Sequence, residues 1–186
     1  FVDPTVQNIL DPEHSPIGLE NPISTEMAVM RTTLWSGLVK SLIHNINRQQ
    51  SRVRLFECGL RFLQPVNKAD LEMADITQER MLAGIAFGSR RQESWGNSSQ
   101  PIDFYDIKGD LESVLALTGA PDDFVFEAGQ HPALHPGQTA RIIRGKETIG
   151  FLGLMDPRVQ ISLDIEQNVY LFELQLDALL SRHVPD

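Results

Sequence analysis

Four arginines stand close together in the segment RQQSRVRLFECGLRFLQ, residues 48–64. Guanidinium groups bind phosphate oxygens through paired hydrogen bonds, so this spacing raises the question of a nucleotide site. The segment alternates like a β-strand, which puts Arg52 and Arg54 on one face and Arg61 on the other. Arg48 precedes the strand. The four arginines therefore cannot all converge on one phosphate without further folding. From the pattern alone, a phosphate-binding role and a solvated sheet edge both stay open.

The other residue types that carry catalysis or bind metals form weak patterns. His131 and His135 lie four apart in HPALHP, but the proline after each histidine disfavours the helix that would bring them together. Cys58 lies inside the predicted strand without a neighbouring histidine, so a buried, inert thiol is expected there. The sequence has no Walker loop and no G-x-G-x-x-G turn. We therefore predict no catalytic residue and no metal site in this chain.

The composition is that of an ordinary globular protein and limits the classes of function. The formal net charge of -9 over 186 residues argues against a protein that wraps nucleic acid non-specifically. The single cysteine excludes an internal disulfide and fits a reducing cytoplasm. No apolar run approaches the ~20 residues that span a bilayer, and no signal peptide is recognised. Because the sequence starts at Phe1 without a methionine, we expect a fragment of a longer chain.

A strong helix is predicted over residues 31–49, RTTLWSGLVKSLIHNINRQ. Large apolar residues recur at four-residue spacing along it, at Leu34, Leu38, Leu42 and Ile46. Small residues recur in the same way at Thr33, Gly37 and Ser41, and such a seam would let another helix approach closely. Alternatively, Gly37 makes room for a large side chain of the same domain.

The rest of the pattern favours an antiparallel sheet. Strands are predicted over residues 53–63, with a bulge or bend at Gly59, and over 80–89, with a polar loop at 64–79 between them. A helix is predicted to begin with Asp106 as its N-cap and to stop at Gly119.

Further elements are predicted on both sides of this core. They are short extended pieces and turns over 1–30, a strand at 124–129, a hairpin over 139–155 that turns at Gly145 and Lys146, and a segment at 168–181 that changes from strand to helix near Leu176. This order of elements predicts the α+β class, with residues 1–186 as a single domain and the helices on one face of an antiparallel sheet.

Three stretches carry a resemblance to a known family. They are NPISTEMAVMRTTLWSGLVKSLIHNINRQQSRVRLFECGLRF, DFYDIKGDLESVL and HPGQTARI. In matching order over nearly the whole chain, the sequence resembles the beta subunit of bacterial phenylalanyl-tRNA synthetases. The resemblance implies the synthetase-like core of that subunit, with editing domains before it and an anticodon-binding-like domain after it. It also implies the class II aminoacyl-tRNA synthetase fold, an antiparallel sheet flanked by helices.

The resemblance further implies that this core has lost the family's ATP site. Leu63 stands where the catalytic alpha subunit's fold carries a phosphate-binding arginine. Leu171 and Glu173 stand in place of glycines, and Gln175 and Leu176 in place of the Glu-Arg pair that holds adenine. The implied domain is non-catalytic and without a cofactor of its own, inside a holoenzyme of two alpha and two beta subunits that uses ATP and Mg²⁺.

The function implied is support of the catalytic alpha subunit in a cytoplasmic phenylalanine–tRNA ligase, with tRNA as a further partner and no membrane. The candidate subunit-interface residues are Thr33, Leu34, Gly37, Leu38, Ser41 and Leu42. The candidate tRNA contacts are Arg48, Arg52, Arg90, Arg91 and Arg141. Two alternatives remain: a tRNA-contacting module, and a decayed synthetase core that retains small-molecule binding.

Overall fold

The computed structural model describes residues 1–65, 75–91, 95 and 100–180. Within these residues, six strands form one antiparallel sheet in the order β1-β2-β6-β5-β4-β3. The strands are β1 Arg52–Leu63, β2 Thr77–Gly88, β3 Phe124–Ala128, β4 Leu134–Arg144, β5 Glu147–Met155 and β6 Val169–Gln175. The predicted α+β class is confirmed, with an antiparallel sheet and several helices.

The helices pack on both faces of the sheet, so the prediction that they lie on one face is wrong. They are α1 Pro4–Leu10, α2 Trp35–Ile46, α3 Phe104–Ala116, α4 Pro157–Ser162 and α5 Leu176–Leu180. Helices α1, α2 and α4 cover one face, called here the α2 face, and α3 and α5 cover the other, the α3 face. The physical reason is visible in β6, which buries Val169 and Leu171 on the α2 face and Tyr170 and Phe172 on the α3 face. A sheet that is apolar on both faces needs cover on both.

The described helices are short compared with a bilayer-spanning segment. None of them is long and apolar enough to cross a membrane.

Helix α2 begins at Trp35, four residues later than predicted, because side chains hold the preceding residues in a different conformation. Thr32 N–H donates to Gln7 Oε1 at 3.3 Å, and the Thr32 hydroxyl donates to Asp11. Thr33 Oγ1 accepts from the Trp35 N–H at 3.1 Å, so a side chain takes over one of the first donors of the helix. The helix ends at Ile46, before a left-handed residue at 49.

Helix α3 has Asp103 as its N-cap, and the prediction of Asp106 in that role is wrong. Asp103 accepts a hydrogen bond from the Asp106 N–H at 2.9 Å, and the Asp106 carboxylate accepts one from the Asp103 N–H at 3.0 Å. This reciprocal pair is a capping box, in which the predicted cap residue is the third residue of the helix. The chain turns after the helix at Gly119, whose φ of 78° is left-handed, as the predicted stop requires.

Strand β1 pairs with β2 without a register shift, from Arg52 opposite Gly88 to Leu63 opposite Thr77. The predicted bulge at Gly59 is therefore wrong. A side chain at this position would overlap the guanidinium of Arg31, which crosses the strand there and donates to the Leu60 carbonyl at 2.8 Å. The glycine thus provides space for Arg31 rather than a bend. Of the loop predicted at 64–79, residues 66–74 lie outside the described residues, and β2 already begins at 77.

The second half of the sheet follows the predicted hairpin closely. Strand β4 ends at Arg144 and β5 begins at Glu147, so Gly145 and Lys146 form the turn, with a left-handed φ of 64° at the glycine. Strand β4 begins earlier than predicted, at Leu134, and is irregular between Leu134 and Thr139. The predicted change from strand to helix at Leu176 is confirmed. Residues 1–30, predicted as extended pieces and turns, contain the seven-residue helix α1, which Asp3 caps.

Replacing glycines by alanine tests how closely the strands of the sheet pack. A methyl group at Gly150 would overlap the main chain of β6 at Glu173 and Leu174. We expect Gly150→Ala to lower the free energy of unfolding by about 1–3 kcal/mol, the usual cost of overpacking. The matched control is Gly109→Ala in α3, where the added Cβ meets nothing within 4 Å. That change should raise stability by about 0.5–1 kcal/mol through helix propensity. Urea unfolding of both variants checks the pair, and equal effects would contradict the packing at Gly150.

Candidate functional site

A small polar cavity lies on the α2 face, between the start of α2, strands β5 and β6, and the segment that precedes β4. Its volume is about 180 Å³. The charged side chains that line the cavity are mostly acidic. Among the described lining residues, Arg61 is the one arginine. The acids are Asp11, Glu13 and Glu173. Of the positions predicted to have lost ATP contacts, Glu173 and Gln175 on β6 line this cavity.

Glu173 is a strongly perturbed ionisable group at this site. Its side chain is buried, and one carboxylate oxygen accepts from the Leu34 N–H at 2.7 Å. The Thr33 hydroxyl donates to the same carboxylate at 3.1 Å. Burial raises the pKa of Glu173 to about 7, although these hydrogen bonds and the charge of Arg61 lower it. The carboxylate therefore ties β6 to the first turn of α2 at a cost in desolvation.

His131 is a packed aromatic residue rather than a free base. Its ring lies edge-on to Trp35 at 5.0 Å and to Phe151 at 5.1 Å between centroids. Burial lowers the pKa of His131 to about 4, so the ring is neutral at neutral pH. Its Nδ1 accepts from the Ala133 N–H at 3.2 Å, a local contact of the loop.

The second histidine of HPALHP makes the same kind of local contact. His135 Nδ1 accepts from the Gly137 N–H at 3.0 Å. Across the described residues, no group of three or more His, Cys, Asp or Glu side chains is arranged to hold a metal ion.

The strand arginines lie on opposite faces of the sheet, as the alternation predicted. Arg54 pairs with Asp110 of α3, and Arg61 lines the cavity on the α2 face. Arg61 is bound by Glu79 on β2, at 2.8 Å from its Nε and 2.6 Å from its Nη2. Its charge is therefore already compensated by a partner within the sheet. The two arginines do not converge on a common anion.

The positions predicted to lack ATP contacts differ in their surroundings. Leu171 is fully buried in the core of the α2 face, and Glu173 is bound to α2. Gln175 lines the cavity, and Leu176 is the first residue of α5. Leu63 ends β1 and is half-buried. Leu171 and Glu173 therefore fill the space on the α2 face that glycines would leave open.

The predicted interface residues divide into two sets. Buried in this chain's own structure, at 0–4% exposure, are Thr33, Leu34, Leu38 and Leu42. Gly37 is half-buried and Ser41 is exposed. A partner that approaches α2 therefore meets the face with Gly37 and Ser41, and the leucine stripe belongs to the internal core.

The predicted tRNA-contacting arginines are all exposed but do not form one cluster. Four of them lie around one end of the β1–β2 hairpin, where Arg52 pairs with Gly88: Arg48, Arg52, Arg90 and Arg91. Arg90 pairs with Asp106 at 2.6 Å. Arg141 is on β4, which is three strands away from β2 in the sheet. It pairs with Glu127 at 2.8 Å.

Cys58 is exposed, so the prediction of a buried thiol is wrong. The reason is that β1 is an edge strand, and helix α3 does not cover the part of its α3 face that carries Cys58.

Sequence reasoning missed the structural role of Glu173 and the network around α1. Gln7, Asp11 and Thr32 are buried and bound to one another, and Ser36 joins them by donating to Gln7 Oε1 at 2.9 Å. The signal for Glu173 was a single acid inside the apolar run VYLFELQ. Such an acid needs buried donors. The partners of Gln7 lie 25 and 29 residues away, and no local pattern announces them.

The pH dependence of stability tests the environment of Glu173. The folded-state pKa of about 7 lies above the ordinary glutamate pKa of 4.5, so the folded protein holds this proton more tightly than the unfolded chain. Its contribution is complete below pH 4.5 and is lost as the pH rises through 7. Relative to wild type, Glu173→Gln should therefore gain about 2–3 kcal/mol between pH 5 and pH 8. Urea unfolding across this range measures the difference.

The matched control for this experiment is Glu166→Gln, because Glu166 is exposed. Its stability curve should run parallel to that of the wild type. An equally parallel curve for Glu173→Gln would contradict the raised pKa.

Comparisons with known proteins show the family to which the chain belongs. The family model for the phenylalanyl tRNA synthetase beta chain CLM domain matches residues 1–176. The chain is 49% identical over 186 residues to the phenylalanine–tRNA ligase beta subunit of Sodalis glossinidius, and covers 23% of that protein. It is 48% identical to the same subunit of Nitrosococcus oceani, with 23% covered, and 46% identical over 185 residues to that of Pseudomonas putida, with 22% covered. The whole chain is aligned in each case, and it spans less than a quarter of the length of these relatives. The chain belongs to the family of phenylalanyl-tRNA synthetase beta chain CLM domains.

Proposed function

We propose that this chain is a single, non-catalytic core domain of the class II synthetase type within a phenylalanine–tRNA ligase beta subunit. In the proposal it supports assembly with the catalytic alpha subunit in a cytoplasmic enzyme that attaches phenylalanine to its tRNA. The observation that carries the proposal is the closed α2 face of the sheet. There Leu171 is packed in the core and Glu173 is bound to the start of α2.

The size and charge of the cavity support a non-catalytic role. Pockets for nucleotide-sized ligands are commonly about 300–1,000 Å³, and this one has about 180 Å³. Its three acids would repel a triphosphate, and its arginine is held by Glu79. In the proposal, ATP and Mg²⁺ therefore act elsewhere in the holoenzyme. The relatives are named beta subunits, which supports a partner alpha subunit.

The exposed side of α2 is the proposed docking surface for that partner. Gly37, Lys40 and Ile43 line a groove of about 250 Å³ together with Phe1 and Val6 of the first segment. Ser41 is exposed on the same helix. A half-buried glycine and an exposed serine let a second helix approach closely, and apolar walls beside them add contact area.

Co-elution in size-exclusion chromatography tests the docking surface. We expect the beta subunit to elute with the alpha subunit, and Ser41→Trp to weaken this assembly about tenfold or more, because a large side chain separates the packed helices. The control is Ser113→Trp, a serine that is exposed on α3, on the other face of the sheet. Equal assembly of both variants would contradict docking through α2, and no co-elution of the wild type would contradict the proposed function.

One observation favours the tRNA-contacting alternative: four exposed arginines surround one end of the β1–β2 hairpin. Arg90 already has a partner in Asp106, which leaves the other three as the stronger candidates. This second function is compatible with the first, because the hairpin end and the groove beside α2 are formed by different residues.

Filter binding of tRNA to the holoenzyme over a salt series tests this alternative. If Arg52 and Arg91 bind phosphates, the double variant Arg52→Glu/Arg91→Glu should reduce the slope of log affinity against log salt by about 1–2. The control is Arg141→Glu, on the distant part of the sheet. An unchanged slope in the double variant would dismiss the arginine patch.

A further inference from the structure

We draw no further inference here: the strongest candidate, the small polar cavity between the start of α2 and strand β6, rests on a cluster of acidic side chains whose buried members, Asp11 and Glu173, are already hydrogen-bonded within the chain, and no second observation among the described residues points to a ligand there.

Discussion

The buried carboxylate of Glu173 is the contact on which the arrangement of the α2 face depends. It lies in the middle of the sheet, and it accepts hydrogen bonds from the N–H of Leu34, the residue just before α2, and from the hydroxyl of Thr33. Trp35 follows at once, and its indole Nε1 donates to the Phe172 carbonyl of the same strand at 2.9 Å. Two successive residues of β6 therefore fix the start and the direction of α2. An unpaired carboxylate at this depth would be prohibitively unfavourable, so α2 and β6 must fold together.

The same interaction explains why only a small cavity remains above β6 on the described part of the α2 face. A glycine on β6 would leave bare backbone and space above the sheet, whereas Glu173 reaches across that space to the helix. Leu171, two residues earlier, fills the neighbouring position with a fully buried side chain. The space that remains is lined by acids and by an arginine that β2 already binds. Leu171 and Glu173 thus use this part of the α2 face for internal packing.

Elements with strong local signals could be predicted from the sequence, and those defined by distant partners could not. The apolar stripe of α2, the turn at Gly145 and the change from strand to helix at Leu176 depend on neighbours in the chain, and each is found where the pattern placed it. The start of α2 depends on Glu173, 139 residues away, and Gly59 depends on Arg31, so both were misread. At the site, alternation predicted that Arg54 and Arg61 diverge, while the burial of the leucine stripe and the exposure of Cys58 required knowledge of the strand order.

The crossing of Arg31 over β1 has a consequence for the solubility of the chain during synthesis. An exposed edge strand offers a row of free peptide groups to any other extended chain, and such edges promote aggregation. Arg31 occupies part of this row: its main-chain oxygen accepts from the Phe62 N–H at 2.9 Å, and its side chain binds the Leu60 carbonyl. A charged residue thus terminates the hydrogen-bonding ladder at one end of the edge. A larger residue at Gly59 would displace the guanidinium of Arg31 and leave the Leu60 carbonyl on this edge more open to pairing with another chain.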